Sequence, residues 1–328
     1  MTRSPVTHTA RRALLVAAGL GAAVAALPAA AQGGFPNKPV TIVVPFTAGG
    51  FSDTVARSVG MGLTKKWNIP VVIENKPGGG GLIAAGPVAR APADGYMLFL
   101  ANVSTNAINP NIYKKLPFDV GDELEPVILV ARTPNVLSVG NEVPVKSVKD
   151  LIELAKSKQL SFGTPGIGSS GHLSAEMFGM ASNTKFQHIP YSGSPQVLVD
   201  LVNGNLAFTF DNVLTWAPLA KANRVRAIAV TSLKRSPLLP DVPTLDESGF
   251  PGYQATSWFG IAAPKGTPRE VIARLNEDIN SVLETAEFRQ RMSGAEVVGG
   301  SPEAFKSFIA ADRAQWGRVA KAINLTVD

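Results

Sequence analysis

Five stretches of this 328-residue chain carry residue types and spacings suited to holding a small anion. The first is Phe46-Thr47-Ala48-Gly49-Gly50-Phe51, set between the β-branched run Val40–Val44 and a segment of helical spacing, Phe51–Trp67. A small-residue loop there leaves backbone N–H groups free at the positive end of a helix dipole, and glycine lets that backbone approach a ligand closely. The run from Gly163 to His172 repeats the arrangement, with Thr164, Ser169 and Ser170 supplying hydroxyls ahead of a second helix. Asn102, Ser104, Thr105 and Asn106 offer amide and hydroxyl donors in a third stretch, although such residues also serve ordinary turns. Tyr191-Ser192-Gly193 and Asp211-Asn212 each fall at the carboxyl end of a predicted strand, where open α/β sheets place their ligands. Asp53 sits where a carboxylate caps the first helix and offsets its dipole, and it is kept as a candidate for the same site. Asp211 has two readings: facing a cleft, it favours ligands with an amino or hydroxyl group; facing away, it caps the helix from Asn212.

Other chemistries lack their residues. The chain has no cysteine, which removes thiolate nucleophiles, disulfides and Cys-ligated metals. Its three histidines, His8, His172 and His188, show no metal-binding spacing, so no metal is expected. Ser170 is not centred in a G-x-S-x-G elbow, and the histidines lack a nucleophile motif, which argues against a hydrolase. Gly166, Gly168 and Gly171 satisfy G-x-G-x-x-G, but a lone mid-chain match is weak, and no nucleotide or other cofactor is expected. His172, one turn into its helix, and His188, ahead of Ile189-Pro190, have structural hydrogen-bonding readings beside their functional ones.

The elements that must position these residues alternate strand and helix. Val40–Val44, Val71–Glu74 and Tyr96–Ala101 are predicted strands, separated by helices at Phe51–Trp67 and Gly81–Arg90. Apolar strands separated by helices imply a parallel sheet covered on both faces. Val127–Ala131 and Val136–Val139 are predicted as two strand pieces around Thr133-Pro134-Asn135, the pattern of a crossing between lobes. A capping box at Ser147–Asp150 opens a second α/β series, with strands at Leu160–Phe162, Phe186–Ile189, Ala207–Phe210 and Arg226–Val230 and helices beginning near Ser169, Ser194 and Asn212. Ser257–Ala262 is predicted to return to the first series. Thr267-Pro-Arg-Glu270 is predicted to cap a helix carrying Val271, Leu275, Ile279 and Val282, and Ser301-Pro302 opens a last helix with Phe305, Phe308, Ile309 and Trp316 on its apolar side. No internal repeat or low-complexity segment interrupts the series.

Composition agrees with a soluble globular protein, at 45% apolar and 17% charged residues. Residues 1–31 follow a signal-peptide plan: Arg3, Arg11 and Arg12, an apolar run Ala13–Ala26, then Pro28 and Ala29-Ala30-Ala31. The run is shorter than the roughly 20 residues of a membrane span. Cleavage after Ala31 is expected, by the general secretory route rather than the twin-arginine one that Arg11-Arg12 partly resembles. Three of the 31 basic residues and none of the 25 acidic ones lie in that segment, leaving 28 against 25, a formal charge of +3. The remaining Lys and Arg are scattered, so no nucleic-acid partner is expected.

Specific strings add a resemblance: Pro45-Phe-Thr-Ala-Gly-Gly-Phe-Ser-Asp53, Glu74-Asn-Lys-Pro-Gly-Gly-Gly-Gly81, Ala93-Asp-Gly-Tyr96, Asn102-Val-Ser-Thr-Asn-Ala-Ile-Asn-Pro110, His188-Ile-Pro-Tyr191, Phe210-Asp-Asn212, and Arg226–Ser232 followed by Lys234–Thr244. In this order they resemble the Bug family, the periplasmic solute-binding proteins of tripartite tricarboxylate transporters, across residues 35–325. The resemblance implies a two-lobed, type II-like periplasmic binding protein that is not an enzyme. It implies a monomer that closes on a small organic acid and delivers it to the large and small membrane subunits of a secondary transporter; an exported sensor of the same fold is the alternative. It implies ligand loops at Pro45–Asp53 and Asn102–Asn109. The expected division is lobe 1 at 32–132 plus 255–328 and lobe 2 at 133–254. Two positions depart from the family pattern. Phe51 stands where Ser or Thr is usual and is either a ligand wall or helix-start core, and Asn106 stands where His is frequent. With no Lys or Arg in any candidate loop, a mono- or dicarboxylate is expected over a fully ionised tricarboxylate.

Overall fold

The computed structural model describes residues 34–327, so the predicted export segment 1–31 lies outside the described residues. Residues 34–37 belong to an N-terminal unit, Met1–Asn37, and the strands and helices of the described residues all lie in the second unit, Lys38–Asp328. The first series is β1 (Val40–Val44), α1 (Phe51–Trp67), β2 (Val71–Asn75), α2 (Leu82–Ala89) and β3 (Met97–Asn102). β1 pairs in parallel with both β2 and β3, and four of its five residues are buried, as a β-branched run covered on both faces requires. α1 ends at Asn68 in the left-handed conformation, its N–H bonding the Thr64 carbonyl.

The stretch after β3 is not an open loop. Ser104–Ile108 form one π-helical turn that runs into the short helix α3 (Asn109–Ile112). Asn102 causes this: its Oδ1 accepts the N–H groups of Ser104 (2.9 Å) and Thr105 (3.2 Å), satisfying donors a helix start leaves free.

After α4 (Val120–Glu123) comes β4 (Leu124–Val139), a single 16-residue strand in place of the two predicted pieces. Its first part, to Pro134, pairs with β9 (Thr256–Pro264); its second part, from Asn135, pairs with β7 (Phe208–Asn212) and β8 (Arg226–Val230). Pro134 falls on the last rung shared with β9, so its missing N–H interrupts no continuous ladder, which is why the strand passes through it.

The second series is α5 (Val148–Ser157), β5 (Ser161–Thr164), α6 (Ser170–Ala181), β6 (Gln187–Pro190), α7 (Ser194–Val202), β7, α8 (Val213–Lys221) and β8. β5 pairs in parallel with β6 and β7. The whole sheet runs β2-β1-β3-β9-β4-β7-β5-β6, with β8 and the two-residue β10 (Glu296–Val297) on β4. Parallel order thus holds through β2-β1-β3 and through β7-β5-β6, and the crossing strands β4 and β9 join these groups by antiparallel pairing. The result is a two-lobed, type II-like α/β fold with one strand common to both lobes.

The chain closes with α9 (Arg269–Leu283), α10 (Ala286–Arg291) and α11 (Pro302–Ala322). Ser147 caps α5 as expected, accepting the Asp150 N–H at 3.1 Å, but Thr267 does not cap α9. Its hydroxyl donates to the Pro264 carbonyl at 2.7 Å, turning it toward the end of β9, and Pro268 takes the N-cap position. α11 buries Phe305, Ile309 and Trp316, with Phe305 edge-on to Trp258 of β9 at 5.5 Å.

The return crossing, between β8 and β9, is tied to β4. Thr231 and Asn135 exchange backbone and hydroxyl bonds: Thr231 N–H donates to the Asn135 carbonyl (2.9 Å) and Asn135 N–H to Thr231 Oγ1 (2.8 Å). Thr231 Oγ1 then donates to the Ala255 carbonyl at 2.6 Å, and Ala255 N–H returns to the Thr231 carbonyl at 3.0 Å. Every segment that passes between the lobes at this point is held by one buried threonine.

Candidate functional site

Two helix starts line one cavity. From α1 come Gly50, Phe51 and Ser52, preceded by Phe46 and Thr47; from α6 come Ser170 and Gly171, preceded by Pro165 and Ser169. Asn102 and Ser104, Gly193 and Ser194, Asp211 and Asn212, and Ser257 and Phe259 of β9 complete it. At the present separation of its walls the cavity is narrow, about 30 Å³, which is room for about two waters.

The lobes meet directly at its rim. Thr47 N–H donates to the Ser192 carbonyl at 3.3 Å, and Thr47 Oγ1 lies 3.4 Å from Gln196 Oε1. Gly193 makes this approach possible: a Cβ there would overlap the Thr47 hydroxyl, although its φ of 167° is extended backbone that any residue adopts. Gly171 has the same kind of necessity, since a Cβ would run into the Phe210 carbonyl. Gly171 of the 166–171 glycine pattern thus serves close helix-to-strand packing.

Eleven of the candidate residues line this cavity together: Phe46, Thr47, Gly50, Phe51, Asn102 and Ser104 from one lobe, and Ser169, Ser170, Gly193, Asp211 and Asn212 from the other. The remaining candidates lie elsewhere. Ala48 and Gly49 are exposed in the loop, and Gly49 donates its N–H to Asp53 Oδ2 at 3.1 Å. Asp53 turns away from the cavity to cap that loop, also accepting from Arg57 Nε (2.9 Å) and Asn75 Nδ2 (3.1 Å). Burial pushes its carboxyl up, but these hydrogen bonds outweigh burial and leave its pKa below the usual value. Thr105 and Asn106 satisfy one another, the Thr105 hydroxyl donating to Asn106 Oδ1 at 2.8 Å. Tyr191 and Ser192 line an adjoining chamber of about 260 Å³, which shares Phe46, Ser104 and Pro165 with the main cavity.

Thr164 and His172 are buried behind the loop that their spacing assigns them to. Ser169 caps α6 by accepting the His172 N–H at 3.2 Å. His172 Nδ1 accepts the Gly168 N–H at 3.2 Å, which places its proton on Nε2, 3.7 Å from Glu176. Its ring stacks on His188 with centroids 3.9 Å apart, and His188 Nε2 meets Thr164 Oγ1 at 2.7 Å. Burial, reinforced by the neighbouring His188, pushes His172 down to about 3, and burial pushes His188 down to about 4. Both are neutral supports of the Gly163–His172 loop at ordinary pH.

Asp211 both holds the start of α8 and borders the cavity. Its Oδ1 accepts the Asn212 N–H (2.7 Å) at the start of α8, its Oδ2 accepts Trp216 Nε1–H (2.8 Å), and it still borders the cavity. Burial pushes its carboxyl above the usual range, against the hydrogen bonds of Ser194, Trp216 and Asn212. Phe51 likewise joins its two readings: it is 3% exposed, packs edge-on against Phe259 at 5.2 Å, and forms part of the cavity wall.

Sequence reasoning missed Asn135. Fully buried on β4, its Oδ1 accepts from Asn212 Nδ2 (2.8 Å) and the Ser170 hydroxyl (3.3 Å), while its Nδ2 donates to Ser174 Oγ (3.0 Å). Its position between two strand pieces marked a crossing, and nothing local marked a side chain reaching two separate helix starts. Ser52 was not singled out although it lies within the Pro45–Asp53 loop; Ser194, next to the Tyr191–Gly193 string, was missed, as were Ser257 and Phe259, which enter from β9, far along the chain.

A cavity between two α/β lobes, lined by helix starts and by hydroxyl and amide groups at the carboxyl ends of strands, is the architecture of the two-lobed, type II-like solute-binding proteins. The chain belongs to the family described as tripartite tricarboxylate transporter family receptor, which matches residues 55–325. It is 32% identical to Protein BugT of Bordetella pertussis over 292 residues, 88% of this chain and 90% of that one. Among solved structures, Rpa4515 of R. palustris with adipate is 39% identical, with a TM-score of 0.86 over 89% of this chain and 99% of that one. MatC of Rhodopseudomonas palustris, with bound malate, is 30% identical, with a TM-score of 0.83 over 87% of this chain and 99% of that one. Among the described residues no helix is long and apolar enough to cross a membrane.

Proposed function

We propose that this protein is a periplasmic receptor that captures a small organic acid, a mono- or dicarboxylate, between its lobes. It delivers the acid to the large and small membrane subunits of a tripartite tricarboxylate-type transporter. The observation that carries the reading is the convergence of the α1 and α6 starts on one cavity lined by hydroxyl and amide groups, with no Lys, Arg or His among its lining residues. Helix starts attract a carboxylate through free N–H groups and the dipole. Without a cationic side chain, three ionised carboxylates in a closed cleft would go unpaired, which is costly. The adipate and malate held by related proteins support the same ligand class.

Binding without reaction fits the same side chains. A serine nucleophile needs an adjacent base, and the Ser170 hydroxyl donates instead to Asn135 Oδ1, an amide that takes no proton. The tie through Asn135, Thr231 and Ala255 supports a lobe division at 132/133 and 254/255, with a hinge there. The working form is a monomer freed of residues 1–31.

The test is thermal unfolding of protein purified from a periplasmic extract, stripped of bound ligand by partial unfolding and refolding, against mono-, di- and tricarboxylates. An acid present at about 100 times its dissociation constant should add roughly 2.7 kcal/mol, a shift of a few degrees. Unchanged melting with every acid would refute the receptor reading, and a shift with citrate alone would refute the ligand class.

A further inference from the structure

The chamber of about 260 Å³ beside the cavity shares Phe46, Ser104 and Pro165 with it. Its far side is made by the glycine turn Gly78–Gly81, ahead of α2, and by Tyr113, just past α3. The turn has φ values from 55° to 112° and is pinned in place: Asn109 Nδ2 donates to the Gly80 carbonyl at 2.7 Å, and the Gly81 N–H to the Gly78 carbonyl at 3.0 Å. These bonds use carbonyls of the turn and leave its donors. Among the described residues nothing accepts the N–H groups of Gly79 and Gly80, the Tyr113 hydroxyl, or the hydroxyl of Ser104, a residue only 3% exposed. Of the acceptors on the other walls, the Gly166 carbonyl is taken by Thr164 Oγ1 (3.1 Å) and the Ser192 carbonyl by the Thr47 N–H (3.3 Å). The Tyr191 hydroxyl already donates to Asp200 at 2.5 Å. No charged side chain lines the chamber.

Unpaired donors gathered in an enclosed space suit a guest that brings lone pairs, and consecutive N–H groups of a turn form a concavity for an anion. An ammonium group would meet the same donors and no carboxylate. The junction differs, because Phe46 and Pro165 stand beside Ser104 there and offer apolar surface to methylene groups. Resting on the receptor reading, we propose that the acid is a linear α,ω-dicarboxylate long enough to span both spaces, with one carboxylate at the α1 and α6 starts and the other in the glycine chamber. There the Tyr113 hydroxyl and the Gly79 and Gly80 N–H groups donate to it, and the methylene chain passes Phe46 and Pro165. The chamber has room for several waters around the distal carboxylate, which lets neutral donors serve where no cation stands. A short diacid reaches only one of the two donor sets, and a monoacid of equal length leaves the distal set unpaired.

Calorimetric titration of the stripped, full mature protein with malonate, succinate, glutarate, adipate and pimelate, and with hexanoate as the matched monoacid, tests this. Adipate or pimelate is expected to bind at least tenfold tighter than malonate and at least tenfold tighter than hexanoate. Tyr113→Phe keeps the ring and removes one donor to a charged acceptor, so the preference for adipate over hexanoate should fall about tenfold. The length series in the unaltered protein stands by itself should that variant fail to fold. Malonate or succinate binding tighter than both long diacids overturns the inference and leaves the receptor reading standing. Hexanoate binding as tightly as adipate does the same, as does a folded Tyr113→Phe protein whose preference is unchanged. Binding of no acid, in this series or among the mono-, di- and tricarboxylates above, overturns both.

Discussion

At the scale of the residue, the site depends on what a side chain lacks as much as on what it offers. Gly193 is the clearest case, because its extended φ would suit alanine and only the Thr47 hydroxyl across the cleft forbids a Cβ. Gly193→Ala should therefore melt close to wild type when ligand is absent, since the lobes can stand apart. Its affinity for the favoured acid should fall at least tenfold, because closure is blocked. Adding Thr47→Ala removes the obstructing hydroxyl and should recover much of the loss. Titration of the single and double variants checks this, and a single variant that binds as wild type would show that the lobes close without this contact. Asn135 is the opposite case, a residue whose value lies in three partners. Asn135→Ala leaves the Ser170 hydroxyl and the Asn212 amide without their acceptor, while the Ser174 hydroxyl still donates to the Ser170 carbonyl at 2.8 Å; each unsatisfied buried group costs about 1–3 kcal/mol. Chemical denaturation should place the total loss above about 2 kcal/mol; a loss below about 1 kcal/mol would mean that water or relaxation satisfies them.

At the scale of the element, the β5–α6–β6 unit carries a pH dependence that its sequence did not disclose. His172 and His188 stack behind the cavity loop and stay neutral when folded, down to about 3 and about 4, whereas in the unfolded chain each titrates near its ordinary value of 6.5. Between about pH 6.5 and 4.5 the unfolded state thus binds more protons than the folded one, so stability rises with pH and falls on acidification. Each histidine contributes a slope approaching about 1.4 kcal/mol per pH unit once its unfolded form is fully charged. Melting midpoints should drop from about pH 6.5 to about 4.5, and His188→Gln should flatten that slope; equal slopes in variant and wild type would mean that other groups set it. The strands and helices of this unit were legible because apolar periodicity and the Ser169 cap act locally. The stack was not, because it joins the start of α6 to β6, and ring geometry across elements leaves no trace in local spacing. The same distinction explains the rest. The loops at Phe46–Phe51 and Ser169–Ser170 announced themselves through glycine and hydroxyl residues at helix starts. Ser257 and Phe259 enter from a strand whose apolar run reads only as core. Thr267 misled for a related reason: its capping pattern is real in type, but the nearby Pro264 carbonyl takes the hydroxyl first.

At the scale of the whole molecule, the two lobes share β4, and their relative motion must pass through the few bonds around Thr231. A sheet strand common to both lobes resists shear, so bending at residues 134–135, where the pairing partner changes, is the motion the topology leaves soft. On the receptor reading, the direct contact of Thr47 with Ser192 across the cavity belongs to the closed form. Solution scattering should consequently report a smaller radius of gyration with saturating ligand than after stripping. Thr231→Val keeps the side chain's shape and removes the hydroxyl that accepts the Asn135 N–H and donates to the Ala255 carbonyl, leaving both unpaired in the interior. The cost should be about 1–3 kcal/mol by denaturation. The hinge role adds an expectation that a merely structural threonine does not: faster hydrogen exchange at the Asn135 amide, and a larger stripped-state radius, with the ligand-bound radius unchanged. Because the open state gains population, apparent affinity falls by the fraction that must first close. A variant that loses stability while both radii match wild type would place the bending elsewhere along the crossing strands.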